Sequence, residues 1–270
     1  MTRILTAAVL IPAAWYLCKR APLPYFLVAA LLLAGVAAWE CAAILKHRGS
    51  KPFAVLTVLA TLGVVAAFAL PASLSIIVGV LTAVAIGAPA LAMMRYDAPD
   101  VMFDATITTY FPVVFVGLPV AYIVGLQTIP QPDGPDLLLL AMLCVTLSDT
   151  AAYYVGSMFG SHRMAPLISP KKTWEGAVGG VAGSVLGAVI AHLWFFQRLP
   201  LGHAIALGVV LCAAGIVGDL AESMFKRAGG VKDSSALLPG HGGVLDRVDS
   251  LLVAAPVLYY YWRVLLAGNH

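Results

Sequence analysis

Asp219, Glu222, Ser223 and Lys226 fall at i, i+3, i+4 and i+7 within LCAAGIVGDLAESMFKR. That spacing places all four on one stripe of a helix. The stripe begins inside an apolar run, which argues against a solvated face of ion pairs. Lys232-Asp233 comes next, then Leu238-Pro239-Gly240-His241-Gly242-Gly243, whose glycines and proline mark a turn. Glycines bare backbone N–H groups and let a phosphate approach closely. Asp246-Arg247-Val248-Asp249 follows. Asp246 and Asp249 are one helical turn apart, and Arg247 offers a rigid fork for phosphate oxygens. Hard oxygen ligands suit Mg²⁺, which takes a few carboxylates, waters and substrate phosphates. A polyphosphate beside Mg²⁺ and basic side chains is a recipe for moving a phosphoryl or nucleotidyl group. No GxxxxGK[ST] loop occurs, so this is not a P-loop site. His241 has three open roles: general base, phosphate contact or plain turn residue.

Two other places carry polar chemistry. Asp149 lies deep in the apolar run LCVTLSDTAAYYVG, beside Ser148 and Thr150 and one turn from Tyr153. An ionised group in a membrane helix costs roughly 3 kcal/mol or more unless it is paired or wet. Asp149 is therefore either a functional acid or a helix-end acid reaching the headgroups. Lys171 and Lys172 sit in ISPKKTWEG. They serve either phosphate and lipid-headgroup binding or membrane topology alone.

The elements that must hold these residues are apolar. The chain has 270 residues, 61% hydrophobic and 11% charged, with mean hydropathy +0.94. Soluble domains carry about 25% charged residues. Apolar runs recur from end to end, and in lipid each must be a helix to satisfy its own backbone. The alternating segments of a β-barrel are missing. The expected fold is all-α, a polytopic integral membrane protein of about nine transmembrane helices. The spans run roughly over 4–18, 23–45, 52–70, 73–94, 105–126, 136–158, 175–196, 202–225 and 249–267. Met1–Leu17 is expected to remain as the first helix, because no small-residue cleavage site follows it. Residues 1–130 form an N-terminal scaffold with possible dimer contacts. Residues 131–270 form the catalytic region, with loops at 161–175 and 226–248.

With the N-terminus in the cytoplasm, twelve of the 16 lysines and arginines fall inside. Lys19, Arg20, Arg198 and Arg263 fall outside, as the positive-inside rule requires. The net charge of +3 is dispersed, so there is no nucleic-acid footprint. Gly179, Gly183 and Gly187 recur every fourth residue beside Gly176 and Gly180. This stripe serves either packing within one subunit or a dimer seam. Tyr259-Tyr260-Tyr261-Trp262 is expected in an interfacial belt. Cys18, Cys41, Cys144 and Cys212 form no CxxC pair and are expected to be buried small hydrophobes.

The 27 residues from Ser223 to Asp249, SMFKRAGGVKDSSALLPGHGGVLDRVD, resemble the signature of the phosphatidate cytidylyltransferase (CDP-diacylglycerol synthase) family. A Ser precedes Lys-Arg, Lys-Asp follows after four residues, then Pro-Gly-His-Gly-Gly, then Asp-Arg-x-Asp. SPKKTWEG and SDTAAYYVG also resemble family segments, and the likeness fades before about residue 145. The resemblance implies an integral membrane enzyme of the bacterial inner or plasma membrane. It would join CTP to phosphatidic acid, giving CDP-diacylglycerol and pyrophosphate, with Mg²⁺ required and K⁺ as a possible companion. It also implies a homodimer and active-site loops open to the cytoplasm and to membrane lipid. Cations would be held by Asp219 and Asp246, with Asp249 nearby and Asp149 completing the site or orienting a lysine. Lys226, Arg247 and Ser223 would join Asp219 and Asp246 in catalysis. Lys171, Lys172, Arg227, Lys232, Asp233, His241, Gly242 and Gly243 would bind substrate.

Three competitors remain in view. A transporter with an ion path explains Asp149 and Asp219 but not the Lys-Asp…His-Gly-Gly…Asp-Arg segment. A CTP-dependent polyprenol or lipid-alcohol kinase would use similar parts. A CDP-alcohol phosphotransferase would need a DGxxAR core, which is missing.

Overall fold

The computed structural model describes residues 12, 15–237 and 242–266. Its helices are α1 Leu23–His47, α2 Ala54–Ala67, α3 Ser73–Arg95, α4 Pro99–Pro112, α5 Leu118–Gln127 and α6 Asp133–Phe159. After a two-stranded hairpin come α7 Trp174–Trp194, α8 Leu201–Ala228 and α9 Leu245–Tyr261. A π-helical turn, Val113–Gly117, joins α4 to α5, and a second, Trp262–Leu266, ends α9. Among the described residues six segments are long and apolar enough to cross a membrane: α1, α3, the α4–α5 pair taken together, α6, α7 and α8. The expected span 52–70 is a 14-residue helix, and 249–267 is a 17-residue helix followed by its π turn. Most of the expected span 4–18 lies outside the described residues. The protein is an integral membrane protein built from helices.

One departure from the sequence expectation is the 161–175 segment, read there as a loop. It folds as an antiparallel hairpin, β1 Arg163–Ala165 against β2 Ser169–Thr173, with Arg163 opposite Thr173 and Ala165 opposite Ser169. Thr173 then caps α7 by accepting a hydrogen bond from Gly176 N at 3.1 Å. Such a cap satisfies one of the four N–H groups that every helix start leaves open.

The chain divides into two compact units. The first comprises Met1–Thr128 and Phe225–Val248, and the second Ile129–Met224 and Asp249–His270. In the first, the core is small and aliphatic: Ala34, Ala37, Ala38, Val64, Val65 and Leu126 are essentially inaccessible. Threonines knit its helices at depth. Thr109 Oγ1 accepts from Phe53 N at 2.8 Å, and Thr57 Oγ1 donates to Thr109 O at 3.1 Å.

In the second unit, α6 and α7 run antiparallel with the glycine stripe between them. A Cβ at Gly183 would lie 2.5 Å from Leu147 O and 2.6 Å from Ala151 Cβ; one at Gly179 would lie 2.6 Å from Val155. The stripe is therefore spent on packing inside one subunit, and the dimer-seam reading of it falls. All four cysteines are buried and none is in a disulfide. The terminal aromatics do not make a continuous belt: Tyr260 is exposed, whereas Trp262 is buried and Tyr261 Oη pairs with His203 Nδ1 at 2.9 Å.

Gly183→Leu is expected to destabilise the protein by about 1–3 kcal/mol or more through overpacking. Gly79→Ala, in α3 with nothing within 4 Å of the new methyl, is expected to be neutral or to gain up to about 1 kcal/mol. Thermal unfolding in detergent of both variants checks the pair; equal effects would contradict the packing described.

Candidate active site

The polar residues assemble as two clusters, one in each unit. In the second unit α8 carries Asp219 and β2 carries Lys172. Lys172 Nζ meets Asp219 Oδ2 at 2.7 Å, and Ser223 Oγ donates to Asp219 Oδ1 at 3.2 Å. Side chains alternate along a strand, so Lys171 and Lys172 part company: Lys172 turns to Asp219 and Lys171 is exposed. Asp149, on the open face of α6, lies within coulombic reach of both Asp219 and Lys172. Asp249 approaches from α9. A Cβ at Gly218 would press on the Asp249 carbonyl, so the glycine next to Asp219 is what lets the α8 and α9 backbones touch. Glu222, from the same α8 stripe, is wholly buried.

The first unit holds the rest. Phe225 packs edge-on against Phe111 and Phe115, at 4.6 and 4.8 Å between ring centroids, which ties the last turn of α8 to the π turn. Helix α8 stops in a Schellman arrangement: Val231 N donates to Lys226 O at 3.0 Å, with Gly230 at φ +68°. Glycine, with no Cβ, takes that left-handed conformation at little cost. Lys226 is thereby aimed at Asp246, and Nζ–Oδ1 is 2.7 Å with both side chains largely buried. Asp246 also accepts from Ser234 N and Oγ, each at 3.0 Å to Oδ2, and from Gly243 N at 2.8 Å. It stands in the first turn of α9, where an acid is favoured by the helix dipole. Lys232, Asp233, Arg227 and Arg247 are exposed around this core. His241, with Leu238–Gly240, lies outside the described residues; Gly242 and Gly243 are described, Gly243 buried.

Among the described residues no three His, Cys, Asp or Glu side chains form a ready metal set. Mg²⁺ needs fewer from the protein, one or two carboxylates with substrate phosphates and waters. Asp219 with Asp149 offers hard oxygen donors of that kind, with Lys172 and Ser223 already on the Asp219 oxygens. Asp246 is more heavily engaged. Its oxygens already accept from a lysine, a hydroxyl and two amides. A cation would reach it only by taking the place of Lys226.

One residue central to this geometry was missed in the sequence. Glu40 of α1, 3% exposed, accepts from Ser234 Oγ, Ser235 Oγ, Val244 N and Leu245 N. The available signal was a lone acid within an apolar run, the same signal that singled out Asp149.

Over 139 residues the chain is 45% identical to the phosphatidate cytidylyltransferase of Haemophilus influenzae, covering 49% of this chain and 48% of that protein. It is 39% identical over 146 residues to that of Staphylococcus saprophyticus, covering 54% and 55%. It is 44% identical over 137 residues to that of Synechocystis, covering 50% and 46%. The chain thus spans about half the length of the curated relatives it matches. A model described as "Cytidylyltransferase family" matches residues 1–265. The chain, with its two lysine–aspartate pairs, belongs to the cytidylyltransferase family.

Proposed function

We propose that the protein transfers CMP from CTP to phosphatidic acid, releasing pyrophosphate and leaving CDP-diacylglycerol in the membrane. The observation that carries this is the pairing of Lys172 with Asp219 and of Lys226 with Asp246, each at 2.7 Å, in a chain of the cytidylyltransferase family. Lysines held by carboxylates are pre-oriented cations, suited to phosphate oxygens that carry charge through the transition state. The apolar helix that carries Asp219 and Lys226 suits a substrate that is itself a lipid.

The lipid phosphate is already an anion. One of its oxygens attacks the α-phosphorus of CTP, the new P–O–P bond forms, and the α–β bridge breaks with both electrons leaving on pyrophosphate. No protein base is needed for that step, so His241 is left a contact or turn role. Lys226, Arg227, Lys232 and Arg247 supply positive charge to the phosphates, and Lys171 and Lys172 do so from the hairpin. Ser223 fixes the Asp219 carboxylate, and Asp246 fixes Lys226 and the Gly243 amide. Asp219 and Asp149 would hold Mg²⁺, with Asp249 near by on α9 and K⁺ as a companion. The ion, when bound, supplies charge stabilisation at the α-phosphate and the leaving group.

The proposal includes cytoplasmic placement of the N-terminus and of segments 161–175 and 226–248, supported by the distribution of lysine and arginine. It assigns residues 131–270 the main catalytic role, and it includes a homodimer. The experiment is incubation of purified protein with labelled CTP and phosphatidate. A CMP-bearing lipid plus pyrophosphate is expected. CDP plus a phosphorylated alcohol, given a polyprenol, would point to the kinase, and no turnover of either would leave the transporter.

Two variants sharpen this. Asp246→Asn is expected to abolish turnover while the protein stays monodisperse in detergent, because Lys226 loses its partner; normal turnover would remove Asp246 from the machinery. Lys171→Ala is expected to raise KM for one substrate more than it lowers kcat. Unchanged KM for both CTP and lipid would rule out a binding role for Lys171.

A further inference from the structure

Glu40 is carried by a helix that lies far outside the signature motif in the sequence. It lies 194 to 205 residues before its partners. Its two oxygens meet four donors. Oε1 accepts from Ser235 Oγ at 2.5 Å and Val244 N at 3.1 Å, and Oε2 accepts from Leu245 N at 2.8 Å and Ser234 Oγ at 3.1 Å. Val244 and Leu245 stand at the start of α9, where N–H groups have no partner within the helix. A carboxylate is the strongest acceptor available to them. Ser234 Oγ also lies 3.0 Å from Asp246 Oδ2, so its single proton is shared between the two acids. The Ser234 amide donates to Asp246 in either case.

The neighbourhood leaves little slack. A Cβ on Gly243 would lie 2.5 and 2.7 Å from the two Glu40 oxygens. One turn along α1, on the same face, Ile44 packs on Gly229, where a Cβ would lie 2.7 Å from Ile44 Cγ2. Helix α1 thus touches the 225–245 segment at its beginning through Ile44 and near its end through Glu40.

We propose that Glu40 is a positioning residue for the reaction: it holds Ser234–Ser235 and Gly243–Leu245 in one fixed arrangement and so sets where Asp246 presents Lys226. Glu40 contacts no substrate. It acts through the Asp246–Lys226 pair, which the same loop residues surround. The N-terminal half is then part of the machinery, beyond the scaffold role the sequence suggested for it. This inference rests on the proposed cytidylyl transfer for its kinetic consequence, but not for its structural one.

The test uses the full chain in detergent or nanodiscs, with Glu40→Gln and Glu40→Ala. Glutamine keeps the size but points an NH₂ at donors, so it loses at least one of the four bonds. Amide hydrogen exchange is read over 231–237, 242–248 and the α6–α7 pair, beside kcat and KM for CTP and lipid. The expected result for Glu40→Gln is a tenfold or greater fall in kcat, with faster exchange at Ser234, Val244 and Leu245 and unchanged protection in α6 and α7. Glu40→Ala should show the same pattern more strongly. If the alanine variant fails to fold, the glutamine variant decides. Wild-type exchange at those amides would overturn the proposal, as would protection lost equally from α6 and α7, which marks general destabilisation. Should the wild-type protein not turn over CTP and phosphatidate, the proposed activity fails, while the exchange measurement still decides whether Glu40 holds the loop.

Discussion

A carboxylate withdrawn from water among apolar helices is stable only when cations and hydrogen-bond donors meet it. Removing one partner of such a pair costs about 3–5 kcal/mol. Glu40 and Asp246 satisfy that constraint in different ways, and the partly exposed Asp219 is met in kind. Glu40 is met by two hydroxyls and two amides, Asp219 by a lysine and a hydroxyl, and Asp246 by a lysine, a serine and the Gly243 amide. The donors come from separate stretches of chain, so meeting the acids is also what gathers α1, the end of α8, the serine pair and the start of α9. The polar residues of the candidate site and the residues that shape its backbone are largely the same residues.

Glycine does the complementary work. Where two helices must approach within backbone contact, the side chain is absent: along α7 against α6, and at Gly218 beside Asp249. Close approach in a membrane relies on packing and hydrogen bonds, because lipid offers no hydrophobic drive between helices. The α6–α7 pair, tied by the hairpin at one end and the Thr173 cap, is a rigid base from which Lys172 reaches Asp219.

Much of this was legible in the residues themselves. The apolar runs match helices, the glycine-and-proline breaks match their ends, and the polar stretch from Asp219 to Asp249 holds the Lys226–Asp246 pair and the aspartate that Lys172 meets. What could not be read had physical reasons. The strand Ser169–Thr173 contains a proline and two lysines, so neither alternation nor β propensity marks it. The glycine stripe fits a partner helix equally well whether that helix is in the same chain or another; only Leu147, Ala151 and Val155 lying against it decide. Glu40 gave a local hint, one acid in WECAAILKH, but its four donors lie far off in the chain and no spacing rule connects them.

That long separation bears on how the molecule is made. Helix α1 is synthesised early, and the last of the groups that meet its glutamate is translated 205 residues later. At 5–20 residues per second the delay is roughly 10–40 s. Until Ser234 is made, 194 residues after Glu40, that acid sits in the helix with none of its final donors yet in existence. The nascent protein therefore depends on water, headgroups or an insertion factor to shelter that side chain. A chain cut short before residue 234 lacks every one of the groups that meet Glu40 in the finished fold.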